Sequence, residues 1–339
     1  MRTQLVCTSA LIVLSACANP IHGTISSPSA TPQGQISTPK IPKVTAQKRE
    51  WYTPAPTRAV KRKPGDPPEP IVLMHGMAGW KRVAGVDYFN GVATEIEKAG
   101  YPVYSTEVDP FNSVDARGKQ VAKQLDAILK KTGAKKVHLV GHSQGGLDAR
   151  YVVATLGYAD RVTTVTTVGT PHQGTALSDI VYGKMPGPAR AAITGLLNAF
   201  LGSATGRKAD LEAQMKNLSQ KHSRGVFNPA NPDQPDVDYY SYTGKTQGNP
   251  IVDEDSVDVV HPALLATYQL LKNQEGNNDG LVSVYSAMWG TYLGAFPADH
   301  FDEVGQPVGA GRVSFNHKQF YVDLAKFLHG DAPAPRGEP

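Results

Sequence analysis

A serine set between two glycines, where an apolar β-branched run gives way to a helical one, constrains this 339-residue chain more than any other feature. Residues 136–145 read Lys-Val-His-Leu-Val-Gly-His-Ser-Gln-Gly. Val137, Leu139 and Val140 predict a short buried parallel strand, and Leu147, Tyr151 and Val152 recur at helical spacing beyond the turn. Strand, Ser143, helix, in that order, presents a nucleophilic oxygen at the end of a sheet. Gly141 and Gly145 suit such a turn because it crowds its own backbone, so a side chain at either position meets the adjoining strand or helix. The plainer alternative is a surface serine in an ordinary strand–helix loop; the flanking runs favour the nucleophile.

A second apolar run, Pro70 to Met74, leads straight into His75-Gly76-Met77-Ala78-Gly79. A loop of that kind can turn a backbone N–H toward developing negative charge. A tetrahedral oxyanion needs two such donors where water is excluded. The candidates are the N–H groups of Met77 and of Gln144, the residue after the serine. An acid and a base are then expected downstream, in the order Asp, His. Asp279 follows the polar turn Gly276-Asn277-Asn278 and precedes Leu281-Val282, where a loop carboxylate can reach inward. Asp253, Glu254, Asp255 and Asp258 compete, but read first as a solvated acidic loop. For the base, His300 competes with His317, which stands just before the helically spaced Phe320, Leu324, Phe327 and Leu328. His75, His142 and His172 belong to turn motifs and are read as shaping them.

From Pro70 to about Gly330 the chain resembles the bacterial true lipases, the pseudomonad-type triacylglycerol lipases of the α/β-hydrolase superfamily. The match runs in order through Ile71-Val72-Leu73-Met74-His75-Gly76, Gly141-His142-Ser143-Gln144-Gly145-Gly146, Val168-Gly169-Thr170-Pro171-His172-Gln173-Gly174, Asn278-Asp279-Gly280-Leu281-Val282-Ser283 and His300-Phe301-Asp302-Glu303. The resemblance implies an α/β-hydrolase fold: a mostly parallel central sheet flanked by helices, with a helical lid insertion. It implies Ser143, Asp279 and His300 as nucleophile, acid and base, which sets His300 above His317. The implied function is carboxylic ester hydrolysis on a lipid, a triacylglycerol lipase, with a short-chain carboxylesterase or a polyester hydrolase as alternatives. A surface binding protein on a hydrolase fold is the non-enzymatic alternative, and the intact Ser143, Asp279 and His300 argue against it.

The lid expectation falls at about residues 178–205. Ile193, Leu196, Leu197, Phe200 and Leu201 keep helical spacing, Gly183, Pro186, Gly187 and Pro188 precede them, and no charge occurs between Arg190 and Arg207. A buried core helix would show the same periodicity. The resemblance also implies a calcium site, placing Asp302, Gln306 and Ala310 at three positions and His261 at the fourth, where relatives carry Asp. Calcium takes oxygen rather than imidazole, so a structural Ca²⁺ is an option and no cofactor is required; Asp258 is an alternative oxygen donor.

The N-terminus predicts export. Arg2 precedes an apolar run from Leu5 to Ala16, too short to span a bilayer, that ends in Leu14-Ser15-Ala16-Cys17. This resembles a lipoprotein signal, with residues 1–16 removed, Cys17 lipidated, and Ala18 directing the mature protein to the outer membrane. Cys7 leaves with the signal, so no disulfide is available, and Tyr285 stands where relatives often have Cys. Residues 17–69 read as a Pro-rich basic tether. Lys40 to Lys63 carries a net +7, whereas the mature chain is +3, so the rest of it is acidic at −4. An anionic lipid surface beside the anchor suits that charge, and nucleic acid does not. The hydrolase domain is expected over residues 70–330 and a disordered tail over 331–339, with a folding chaperone as an optional partner.

Overall fold

Ile71–Met74 (β1) lies buried along its whole length, and its alternate residues face two different cores. The computed structural model describes residues 67–79, 82–83, 86–184, 209–246, 260–306 and 315–338. Described in chain order, β1 is followed by a two-residue ribbon, Arg82–Val83 (β2) with Val86–Asp87 (β3), and helix Val92–Lys98 (α1). Then come Val103–Ser105 (β4), Val114–Thr132 (α2), Val137–His142 (β5) and Gln144–Ala154 (α3). Val162–Val168 (β6), Ala176–Lys184 (α4), Leu211–Leu218 (α5) and Asp238–Gly244 (β7) continue the chain. Leu265–Gln274 (α6), Val284–Ala287 (α7), Thr291–Phe296 (β8) and His317–Leu328 (α8) complete it.

Six strands form one sheet in the order β4-β1-β5-β6-β7-β8, and every pairing in it is parallel. Parallel strands need helical crossovers, which cover both faces and bury the strands completely. Hence β6 is a continuous run of valine and threonine, and β5 is buried at all of its positions, His138 and His142 included. Ile71 and Leu73 join Phe89, Val92, Tyr321 and Leu324 on the face covered by α1 and α8. Val72 and Met74 join Leu125, Leu139, Val152 and Val165 on the face covered by α2 and α3. Burying each such side chain contributes about 1.5–3 kcal/mol before conformational entropy is subtracted.

α2 shows why the helices start and stop where they do. The Ser113 side chain accepts from the Ala116 N–H at its start, Asp115 stands in its first turn, Lys130 and Lys131 in its last, and Gly133 closes it at φ 70°.

The C-terminal segment departs from expectation. Rather than forming a disordered tail, residues 331–338 run back to the sheet, where Glu338 bridges antiparallel to Ala295 on β8. The Ala295 N–H donates to the Glu338 carbonyl at 2.7 Å, the Glu338 N–H returns a bond at 2.8 Å, and Lys245 pairs with the Glu338 carboxylate at 2.6 Å. β8 is an edge strand with unpaired backbone groups, and this segment satisfies some of them. Proline and alanine content conceals the arrangement, because the ordering comes from backbone pairing and from Ala334 packing against a distant core, neither of which a local pattern shows. Residues 1–66, and with them the signal and Cys17, lie outside the described residues, as do 185–208 of the expected lid. No helix among the described residues is long and apolar enough to cross a membrane.

Candidate active site

Ser143 sits at the C-terminal end of β5, the third of six strands, where open parallel sheets place ligands. Its backbone is strained at φ 54° and ψ −130°, a conformation a non-glycine residue adopts only when its surroundings impose it. Those surroundings are tight. A Cβ on Gly141 would lie 2.5 Å from the Gly146 nitrogen, and one on Gly145 would lie 2.2 Å from the Met74 carbonyl oxygen. The Ser143 N–H donates to Val168 O at 2.9 Å, and the Thr170 hydroxyl donates to Ser143 O at 2.8 Å. The elbow is thus pinned to β6 and the loop after it, and Ser143 remains only half-buried.

The loop after α6 brings in Asp279 and the loop after β8 brings in His300. His300 Nδ1 lies 2.7 Å from Asp279 Oδ2, and the His300 N–H donates to the Asp279 carbonyl at 2.8 Å. Asp279 Oδ1 accepts from the N–H groups of Leu281 at 2.8 Å and Val282 at 2.7 Å, so the carboxylate is fixed before it meets the imidazole. With Nδ1 engaged, Nε2 is the nitrogen available to a nucleophile. The His300 ring lies 4.5 Å from that of His142, the residue preceding Ser143. Ser143 and His300 share no hydrogen bond here, and such bonds commonly tighten only with substrate present. His317 is elsewhere: its Nε2 meets the Asn90 carbonyl at 2.9 Å beside α1.

Beneath this pair lies a group whose roles the sequence did not disclose. His142 Nε2 is 2.8 Å from Glu303 Oε2, and that oxygen is 3.6 Å from His300 Nδ1. Tyr88 takes the far side of His142, with its hydroxyl 2.7 Å from Nδ1. Glu303 also accepts the Gly244 N–H. Burial, and then the neighbouring Asp279 charge, push the Glu303 carboxyl well above the usual range, favouring its protonated form. Burial likewise pushes His142 well below the usual imidazole range, with His300 adding to the effect. Glu303 closes the sequence motif that begins at His300, so its spacing was a usable signal; nothing marked Tyr88.

The two expected oxyanion donors lie on the loop after β1 and at the start of α3. Gln144 is the first residue of α3, so its N–H has no carbonyl one turn back. The Met77 N–H likewise takes no backbone acceptor among the described residues. Ala78, at φ 56°, turns the loop, and its own N–H donates to Pro110 O at 2.9 Å. Beneath the loop, buried Arg117 donates to the carbonyls of His75 at 2.6 Å and Asp109 at 2.8 Å, and pairs with Asp148 of α3 at 2.8 Å. His75 and His172 are buried and tie their turns to other elements: the Val108 N–H donates to His75 Nε2 at 3.2 Å, the Thr167 hydroxyl lies 3.0 Å from His172 Nε2, and the Asn228 side-chain amide donates to the His172 carbonyl at 2.9 Å.

Two of the residues expected at a calcium site, His261 and Gln306, make side-chain contacts elsewhere. Asp299, which the sequence left without a role, accepts the N–H groups of His261, Phe301 and Asp302 at 2.8–3.0 Å. The His261 ring packs against Phe301, with centroids 5.6 Å apart. Gln306 turns its side-chain amide to the carbonyls of Asp87 and Tyr88. A carboxylate already saturated by peptide donors organises this loop. Ala310 and Asp258, with the rival acids 253–255, lie outside the described residues, as do Leu197 and Phe200.

Comparisons with known proteins agree with this geometry. Residues 70–222 match the family model described as palmitoyl protein thioesterase. A triacylglycerol lipase of Pseudomonas fragi is 30% identical over 281 residues, covering 76% of this chain and 95% of the relative. A triacylglycerol lipase of Vibrio cholerae is 32% identical over 261 residues, covering 71% and 80%. Among solved structures, Staphylococcus hyicus lipase aligns with a TM-score of 0.60 at 19% identity, covering 79% of this chain and 98% of that one. The mature Bacillus licheniformis lipase BlEst2 aligns with a TM-score of 0.54 at 24% identity, covering 74% and 91%. The two structural likenesses show the fold.

Proposed function

Because this chain belongs to the triacylglycerol lipase family, we propose that it hydrolyses acylglycerol esters through Ser143, His300 and Asp279. The observation that carries the reading is the fixed Asp279–His300 pair beside a strained serine elbow, with Gln144 opening α3 and the Met77 N–H taking no backbone acceptor among the described residues. His300 Nε2 takes the Ser143 proton as the oxygen attacks the ester carbonyl, while Asp279 holds the tautomer and stabilises the imidazolium. The N–H groups of Met77 and Gln144 receive the oxyanion. Collapse expels the alcohol with the proton from His300, leaving an acyl-serine. Water, activated by the same imidazole, then releases the acid and restores Ser143.

Long acyl chains, a lid within 178–205 and an anchor at Cys17 form one account. An enzyme tethered beside a lipid surface meets its substrate there, and an apolar lid helix exposes its face only where lipid covers it. Rates on a graded ester series, measured with and without an emulsion interface, test it: activation by the interface on long chains supports it, and a soluble short-chain preference points to a carboxylesterase. The thioesterase match over residues 70–222 favours acyl thioesters as a second substrate class, and hydrolysis of palmitoyl-thioester at a rate comparable to the ester would establish it. Calcium is not required in this account, because Asp299 already holds the loop that the metal would organise. Loss of activity in EDTA, restored by Ca²⁺ alone, contradicts that point.

A further inference from the structure

The two candidate oxyanion donors belong to separate elements, the loop after β1 and the start of α3. One side chain from a third element joins them. Gln214 on α5 is completely buried, and its side-chain amide nitrogen donates to Gln144 Oε1 at 2.5 Å and to Pro110 O at 3.2 Å. Pro110 O is the same oxygen that accepts the Ala78 N–H at 2.9 Å, fixing the peptide next to the Met77 donor. Gln144, also completely buried, turns its other end to Asn112, donating to the carbonyl at 2.9 Å. The start of α5 is stitched to the same loop: the Asp210 N–H donates to Phe111 O at 2.6 Å.

We propose that Gln214 is a positioning residue for the oxyanion hole, holding the Met77 and Gln144 N–H groups in register through Pro110 and the Gln144 side chain. The proposal rests on the ester-hydrolase reading and deepens it. Two features favour positioning over packing. Both donated bonds go to atoms one step from an oxyanion donor, whereas the Gln214 Oε1 oxygen is buried without a partner. A side chain that served packing alone would be apolar at this position, since an unpaired buried amide oxygen is costly. The amide is present for its N–H groups, and these act on the hole. Oxyanion stabilisation depends on donors placed where charge develops, and small displacements weaken it steeply.

The test is Q214M, an unbranched side chain of similar length that deletes both donated bonds. In the full-length enzyme, kcat on a soluble ester is expected to fall about tenfold with KM within about twofold. Affinity for a trifluoromethyl ketone, which becomes a tetrahedral oxyanion on Ser143, is expected to fall in parallel, with Tm within a few degrees of wild type. The double variant Q144M/Q214M is expected to lose little beyond the worse single variant, because the two amides act as a unit. Unchanged kcat and inhibitor affinity, or a loss carried by KM, overturns the proposal. Should Q214M fail to fold, Q214N, which keeps the amide but shortens its reach, carries the same expectations. Failure of wild type to hydrolyse esters or bind the ketone would instead remove the ester-hydrolase reading itself.

Discussion

Single residues decide the chemistry. His300→Ala is expected to cost several orders of magnitude in kcat/KM, whereas His317→Ala, whose ring bonds the Asn90 carbonyl beside α1, is expected to lower Tm with activity per folded molecule nearly intact. The reverse ranking, measured on purified folded variants, would move the base. Buried histidines also set the response to acid. Burial, with His329 adding to it, pushes His138 down to about 3, and burial likewise holds His142 and His172 below their ordinary range. Between that lowered value and the unfolded value near 6.5, the unfolded chain binds more protons than the native one. Stability is therefore complete above about pH 6.5 and falls as the pH drops, by up to about 1.4 kcal/mol per pH unit for each such histidine. Thermal melts from pH 7 to pH 4 should show that decline, and His138→Gln should make it shallower; an unchanged slope would contradict the assignment. At this scale the sequence was legible where a motif carries its own geometry. The strained elbow at Ser143 and the Asp279–His300 pair were readable, since spacing and turn chemistry travel with them. Tyr88, Arg117 and Gln214 were not, because the partners His142, Asp148, His75 and Gln144 lie 31–70 positions away and no local pattern marks a buried polar contact.

Elements were readable by period. The β1 and β5 runs and the α2 caps follow from local sequence, so the parallel sheet and its flanking helices could be anticipated. The C-terminal segment could not, since Asp331-Ala332-Pro333-Ala334-Pro335 resembles an unstructured tail in composition, and what orders it are partners far along the chain: β8, Tyr101 and the core against which Ala334 packs. Truncation after Gly330 is expected to remove the two backbone bonds to Ala295 and the Lys245 pair, costing about 1–3 kcal/mol. It also bares the β8 edge. Lower Tm and faster aggregation are the expected readouts, and an unaltered melt would show that the segment contributes nothing. The proposed lid belongs to this scale too. Replacing Leu197 and Phe200 by Ser should reduce activity on emulsified long-chain ester more than on soluble short-chain ester. Equal losses would make that helix part of the core.

At the scale of the molecule, a parallel sheet collects three loops at the C-terminal ends of its strands, and residues 143, 279 and 300 meet there although 136 positions separate the first two. That convergence is what topology adds to motif, and the central claim rests on it: Ser143 is activated by the Asp279–His300 pair and is the nucleophile of an ester hydrolase. The most direct measurement is intact mass and peptide mapping after reaction with a fluorophosphonate, on wild type, Ser143→Ala and His300→Ala. The account predicts one adduct on wild type, mapped to Ser143, none on Ser143→Ala, and labelling slowed by orders of magnitude on His300→Ala. An adduct at another residue, or a Ser143→Ala protein that still labels and turns over ester, would contradict it.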